Sequence, residues 1–137
     1  MRLLIFILII ICFESKAQSV NLTAGKSKYS PILQGEVELN LKGFILQGVL
    51  GSHLDREDPA FVGARFGYNF QMNQKNTLFL QPLMGYHLVW VNFHNTPNNH
   101  YAPGYGMALI YKHLKIEVYN IDKYEFVGIG IIGLKLN

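Results

Sequence analysis

Beyond residue 17 the chain alternates apolar and polar side chains with a period of two, as strands do when their two faces meet different surroundings. Val20, Leu22 and Ala24 alternate with Asn21 and Thr23, and Val37, Leu39 and Leu41 with Glu36, Glu38 and Asn40. Phe44, Leu46 and Leu50 share a parity opposed by Gln47, Gly51 and His53. Val62, Ala64, Phe66, Tyr68 and Phe70 form an apolar row against Gly63, Arg65, Gly67 and Asn69. Leu78, Leu80, Met84, Tyr86, Leu88 and Trp90 oppose Gln81, Gly85 and His87. Tyr105, Met107, Leu109 and Tyr111 oppose Gly104, Gly106, Ala108 and Lys112, and Leu114, Ile116 and Val118 oppose Lys115, Glu117 and Tyr119. A last segment over residues 124–136 brings the expected number of strands to eight. No segment carries a helical stripe.

The expected connections sort by length. Lys42-Gly43, residues 72–76 and Lys112-His113 read as tight turns, whereas residues 26–31, 54–59, 94–103 and 120–123 read as mostly longer and more polar connections. Every second connection is short, so the short ones gather on one rim of an up-and-down meander, the asymmetry of outer-membrane barrels. Two places resist the pattern. Pro82 falls inside a strand and has no N–H for the ladder, which predicts a bulge or break there. In the last segment Val127, Ile129 and Ile131 share parity with Glu125 and Lys135, and Gly128, Gly130 and Gly133 offer sites for a bulge that switches faces.

Alternation alone leaves open whether the apolar rows face lipid or a protein core, because a soluble sandwich or lipocalin-like barrel has the same period. Composition favours lipid. Only 15% of the 137 residues are charged, against about 25% in ordinary soluble proteins. Half are hydrophobic, which excludes a disordered chain, and a formal charge of +3 is too mild for a nucleic-acid arm. The polar rows are rich in Gly (Gly63, Gly67, Gly85, Gly104, Gly106), as the narrow interior of an eight-stranded barrel requires. Phe44, Phe61, Phe70, Trp90, Phe93, Tyr101, Tyr105, Tyr111 and Tyr124 fall near segment ends, where aromatic rings suit the headgroup boundary. Strand charges keep to the polar parity. Glu36, Glu38, Arg65, His87, Lys112, Lys115 and Glu117 are therefore expected to form a polar network inside the barrel, leaving it plugged by side chains rather than open as a channel.

The N-terminus reads as an export signal. Met1-Arg2 begins it, Leu3–Phe13 is an unbroken apolar run too short for a membrane-crossing helix, and Ser15-Lys16-Ala17 has small residues where cleavage before Gln18 needs them. The expected organisation is a signal peptide over residues 1–17 and one barrel domain over 18–137. Cys12, preceded by Ile11 rather than a small residue, reads as part of the apolar run and not as a lipidation site. The exported domain then has no cysteine, and without disulfides it must rely on sheet hydrogen bonding and packing.

With these features assembled, the chain resembles the OmpA/OmpX-type eight-stranded barrels of Gram-negative outer membranes. The Ser15-Lys16-Ala17-Gln18 junction and the stretch Gly63-Ala64-Arg65-Phe66-Gly67-Tyr68-Asn69-Phe70 are similar to pieces of such proteins. The resemblance implies an all-β, up-and-down antiparallel transmembrane barrel in the outer membrane of a Gram-negative bacterium. It also implies outer-membrane lipid as surroundings and extracellular or periplasmic proteins as partners through the loops. Unlike that family, which usually ends on an aromatic residue, this chain ends Leu134-Lys135-Leu136-Asn137.

Candidate chemistry is sparse. His94 and His100 flank the polar stretch 95–99 and are candidate loop contacts for a metal or ligand; their spacing of six is no recognised zinc pattern, so no metal or cofactor is expected. A lipid-modifying barrel enzyme is the sharper alternative, with Ser52, His53 and the acidic stretch 55–58 as nucleophile, base and orienting acid. Adjacent strand residues point to opposite faces, so Ser52 and His53 should not meet, and no enzyme is expected. Phosphate-binding loops and nucleic-acid motifs are absent. A structural or surface-interaction barrel acting through its longer loops is the leading reading. The enzyme and a soluble periplasmic lipocalin-like barrel binding an apolar ligand are its alternatives.

Overall fold

The computed structural model describes residues 18–27, 30–55, 59–89, 92–93, 96–97, 99–121 and 124–135. The expected signal peptide and Cys12 lie outside them. Eight long strands account for most of the described chain: β1 (Gln18–Ser27), β2 (Pro31–Leu41), β3 (Phe44–His53), β4 (Pro59–Tyr68), β5 (Leu78–Val89), β6 (His100–Tyr111), β7 (Leu114–Ile121) and β8 (Tyr124–Lys135). Each pairs antiparallel with the next in sequence, and β1 pairs with β8, so the sheet closes on itself as an all-β, up-and-down barrel. Closure leaves none of these eight strands with a free edge. Phe70–Gln71 prolongs β4 against β5, and Asn92–Phe93 pairs with Thr96–Pro97 in a separate small ladder.

Gln18, Lys135 and the tight turns share one rim. At Lys42-Gly43 both residues have positive φ (54° and 95°), the conformation of a two-residue hairpin turn that follows the strand twist. Lys112 also has positive φ (55°), and Asn76 (52°) closes the turn between β4 and β5. On the opposite rim the sorting by length is weaker than the sequence suggests. β7 ends at Ile121 and β8 begins at Tyr124, so this connection is only residues 122–123, and β6 begins at His100, which takes residues 100–103 out of the loop and into the strand. Pro103 pairs with Tyr86 there.

The strand with Pro82 is broken on one side only. Against β6 the register runs unbroken from Gln81–Ala108 through Pro82–Met107 to Leu83–Gly106. Against β4 the ladder stops at Gly67–Leu83 and resumes at Phe70–Leu80. Asn69 uses its backbone N–H on the Gly43 carbonyl (2.8 Å) and its side-chain oxygen to accept from Gln81 (3.1 Å), so the gap is bridged without an extra residue. In β8 no switch of faces occurs from Glu125 to Ile131. Phe126, Gly128 and Gly130 face inward, while Glu125, Val127, Ile129 and Ile131 face outward. The register shift comes later, between the pairs Asn21–Ile132 and Ser19–Lys135.

The two faces of the wall are chemically opposite. The outward rows expose Leu22, Leu50, Phe66, Met84, Met107, Ile116 and Ile129, while Gln34, Gln47, Arg65, Gln81, His87, Lys115 and Glu117 are fully buried inside. Aromatic contacts gather at both ends of the outer wall. Tyr68 packs edge-on against Phe44 (5.1 Å between centroids) and beside Phe70 (4.9 Å) near the turns, and Tyr86 stacks on Tyr101 (6.0 Å) toward the other rim. Phe61, expected with these rings, instead points inward and is buried, because its parity is that of Gly63 and Arg65 rather than Val62.

Candidate functional site

The interior is the place where the chain's chemistry converges, and strand register explains how so many long polar side chains fit. Arg65 lies beside Gly85, His87 beside Gly63, Lys115 beside Gly130, Glu117 beside Gly128 and Tyr119 beside Gly106. Each large side chain lies across a neighbour that has none. A Cβ on Gly104 would sit 2.6 Å from the Tyr119 ring and 2.9 Å from His87, and one on Gly63 would sit 2.5 Å from His87. The glycines of the polar rows are thus the space into which the network folds.

Arg65 is the hub. Its Nη1 donates to Glu117 Oε1 (2.7 Å), its Nη2 to Gln34 Oε1 (3.0 Å) and its Nε to His87 Nε2 (3.2 Å). A guanidinium can only donate, so His87 Nε2 is the acceptor and carries the lone pair. The guanidinium carbon lies 3.8 Å from the Tyr119 ring centroid, a cation–π contact in a water-poor site. Lys115 Nζ sits between two acids, 2.7 Å and 2.8 Å from the Glu36 oxygens and 2.6 Å from Glu117 Oε2. Gln34 Nε2 ties the acids together by donating to Glu36 Oε1 (2.6 Å) and Glu117 Oε1 (3.1 Å), with Thr23 and Asn21 donating to Glu36 from β1. Nearer the turns, Glu38 accepts from Gln47 (2.8 Å) and Gln81 (3.3 Å).

Of the residues expected in this network, Glu36, Glu38, Arg65, His87, Lys115 and Glu117 are buried inside the barrel. Lys112 is not with them. It forms the β6–β7 turn, exposed, with Nζ 5.4 Å from the Tyr111 ring centroid; positive φ at the turn removes it from the alternation that carried the expectation. Sequence reasoning missed Asn21, Thr23, Gln34, Gln47, Gln81 and Tyr119 as members. Their signal was present, since all six share the inward parity, but uncharged groups give no pairing cue.

Toward the longer connections the polar interior gives way to an apolar layer of Ile32, Phe61, Val89, Ile121 and Phe126 around a cavity of about 20 Å³, room for about one water. His53 borders it and pairs through Nδ1 with the Ser30 hydroxyl. Ser52 Oγ points elsewhere, at the His53 carbonyl oxygen (3.4 Å), so Ser52 and His53 do not form a nucleophile–base pair. Ser30 is itself buried beneath the rim. Asp55 is exposed, and residues 56–58 and His94 lie outside the described residues. His100 opens β6, half-buried and opposite Val89. Among the described residues no group of three or more His, Cys, Asp or Glu could hold a metal ion.

A closed, eight-stranded antiparallel barrel with an apolar outer wall is the fold of small outer-membrane barrels. The chain is similar to the N-terminal β-barrel domain of Pseudomonas aeruginosa OprF, with TM-score 0.61 at 12% identity over 85% of this chain and 97% of that one. It also matches the Yersinia pestis outer membrane protein Ail, solved in a phospholipid bilayer nanodisc, with TM-score 0.46 at 12% identity over 83% and 98% of the two chains. No protein-family model matches the sequence, and no curated protein matches it.

Proposed function

We propose that the chain works in the outer membrane of a Gram-negative bacterium as a non-conducting barrel, with a structural or surface-interaction role carried by its longer connections, residues 54–58 and 90–99. The observation that carries this reading is the inverted distribution of side chains: ionised groups buried in the lumen, large apolar groups on the outside. A soluble lipocalin-like barrel would bury the apolar face and put its charges in water. The dimensions agree with a bilayer. From Tyr101 to Tyr111 the outward row of β6 is about 33 Å of strand at ~3.3 Å per residue. At a tilt of about 40° that is ~25 Å of height, matching the apolar band of outer-membrane barrels.

A plug rather than a pore is supported by Arg65, Lys115, Glu36 and Glu117, which are buried in the interior and already paired with each other. Extracellular or periplasmic proteins are the partners this reading assigns to the loops. Cell fractionation tests it. The chain should remain with the outer membrane, come out only with detergent, and run on gels with a mobility that changes on heating. Recovery as monodisperse protein in plain buffer would overturn it.

A further inference from the structure

The rim of tight turns carries charge of one sign. Lys42, Lys75 and Lys112 sit in the three turns, all exposed, and residues 40–44, 70–78 and 111–114 contain no acid. Every Asp and Glu beyond residue 17 falls elsewhere. Glu36, Glu38 and Glu117 are buried in the lumen, and Asp55, Glu57, Asp58, Asp122 and Glu125 fall in or beside the connections after β3 and β7. Among the described residues none of the three lysines has an ion-pair partner. Backbone hydrogen bonds fix the turns to the neighbouring strands and turns. The Asn69 N–H donates to the Gly43 carbonyl (2.8 Å), Lys112 N–H to that of Thr77 (2.9 Å) and Ile132 N–H to that of His113 (2.7 Å). Two of the lysines also stand where turn geometry does not ask for them. Among the described residues three non-glycine positions have positive φ; Asn76 is a type that conformation favours, whereas Lys42 (54°) and Lys112 (55°) are not. Folding alone would be served better by Asn at both.

We propose that this rim is a docking collar for a leaflet of anionic phospholipids, each lysine drawing the phosphate of a separate headgroup. The inference rests on the membrane reading given above, in which short turns face the periplasm. The height fits. The outward row of β6 ends at Tyr111 and Lys112 follows it, with Nζ 5.4 Å from that ring's centroid. Lys42 stands two residues outside Phe44, which packs against Tyr68. The lysines thus begin where the apolar band ends, the level that long cationic side chains reach for at a membrane surface. The spacing fits a leaflet rather than one bound anion. Lys42, between β2 and β3, and Lys112, between β6 and β7, are half-way round the barrel from each other, with Lys75 between them, so they do not share one phosphate. An ammonium is a compact charge with three rotatable donors and needs no fixed partner geometry, which suits headgroups that exchange. A zwitterionic headgroup carries its own cation beside the phosphate and gains less from a lysine.

Electron spin resonance of the protein in phosphatidylcholine bilayers tests this, with spin-labelled phosphatidylglycerol and phosphatidylcholine of identical chains as probes of the lipid immobilised at the barrel. Phosphatidylglycerol should associate about threefold more strongly at low salt, the screened attraction of an exposed lysine to an anionic headgroup, and the preference should collapse near 1 M salt. Replacing the three lysines together (Lys42→Asn, Lys75→Asn, Lys112→Asn) should abolish the preference, and the corresponding arginine variants should keep it. In phosphatidylcholine bilayers the asparagine variant should be at least as stable as the unaltered protein, because Asn suits the positive φ at 42 and 112. Equal association of the two lipids, or a preference that survives the asparagine variant, overturns the proposal. So does an asparagine variant that is less stable, since the lysines would then serve the fold. Displacement of phosphatidylglycerol by inorganic phosphate at constant ionic strength would reveal a site for free anions and overturn the leaflet. Heat-modified mobility is recorded on the same preparations. A barrel that keeps it while showing no preference refutes the collar alone, whereas its loss in the unaltered protein refutes the membrane reading.

Discussion

The same strands have two faces that obey different rules. On the inner face the charged side chains have named partners: Arg65 meets Glu117, Gln34, His87 and Tyr119, and Lys115 meets Glu36 and Glu117. On the outer face Leu109, Ile116 and Ile129 are cross-strand neighbours that, on the proposed membrane reading, need only be apolar, because lipid tails would fill whatever space they leave. The specific pairings of this barrel are therefore concentrated inside, in groups that a soluble protein would leave in water. The outer wall is tolerant of shape and intolerant of charge.

The largest expected effect comes from breaking the inner face. Lys115→Met leaves Glu36 and Glu117 buried without their shared cation and should cost about 3–5 kcal/mol, read from urea unfolding of the barrel in detergent or bilayers. Putting a charge on the outer face should cost less. Ile129→Lys, in the middle of β8, is expected to lose about 2–4 kcal/mol in a bilayer, while a truncation such as Ile129→Ala in the same assay should lose less than the charged variant. The smallest effect separates two lysines three residues apart. Lys112→Gln, in the exposed turn, should change stability by less than about 0.5 kcal/mol. If Lys112→Gln and Lys115→Met proved equal, the inner network would not be what holds the barrel together.

The strands were legible because period-two alternation survives wherever one face is dry and the other is not. Thus the rows of β4, with Val62, Ala64, Phe66 and Tyr68 on one side and Arg65 on the other, appear in the structure as they do in the sequence. The misplacements fall where parity stops being informative. Lys112 continues the polar row of β6 on paper, but positive φ at the turn carries it out of the wall. Phe61 lies near a strand end like the rim aromatics, but its parity points inward and it joins the buried apolar layer. Glu125 shares the outward parity of Val127, and no bulge intervenes to turn it inside. The Ser30–His53 contact had no cue at all, because it depends on β2 and β3 being in the register that brings Ile32 opposite His53.

What the chain's own order of residues decided is the number of strands, their two faces and the side of the wall on which charge belongs, since each follows from side-chain period and from the cost of an ionised group among hydrocarbons. What only closure of the barrel decided is who meets whom. Arg65 of β4 reaches Glu117 of β7 across the lumen, and Arg65, His87, Lys115 and Glu117 each find space over a glycine of an adjacent strand. Those meetings are set by register and curvature, which bring residues 52 positions apart within 2.7 Å and leave no trace in local sequence.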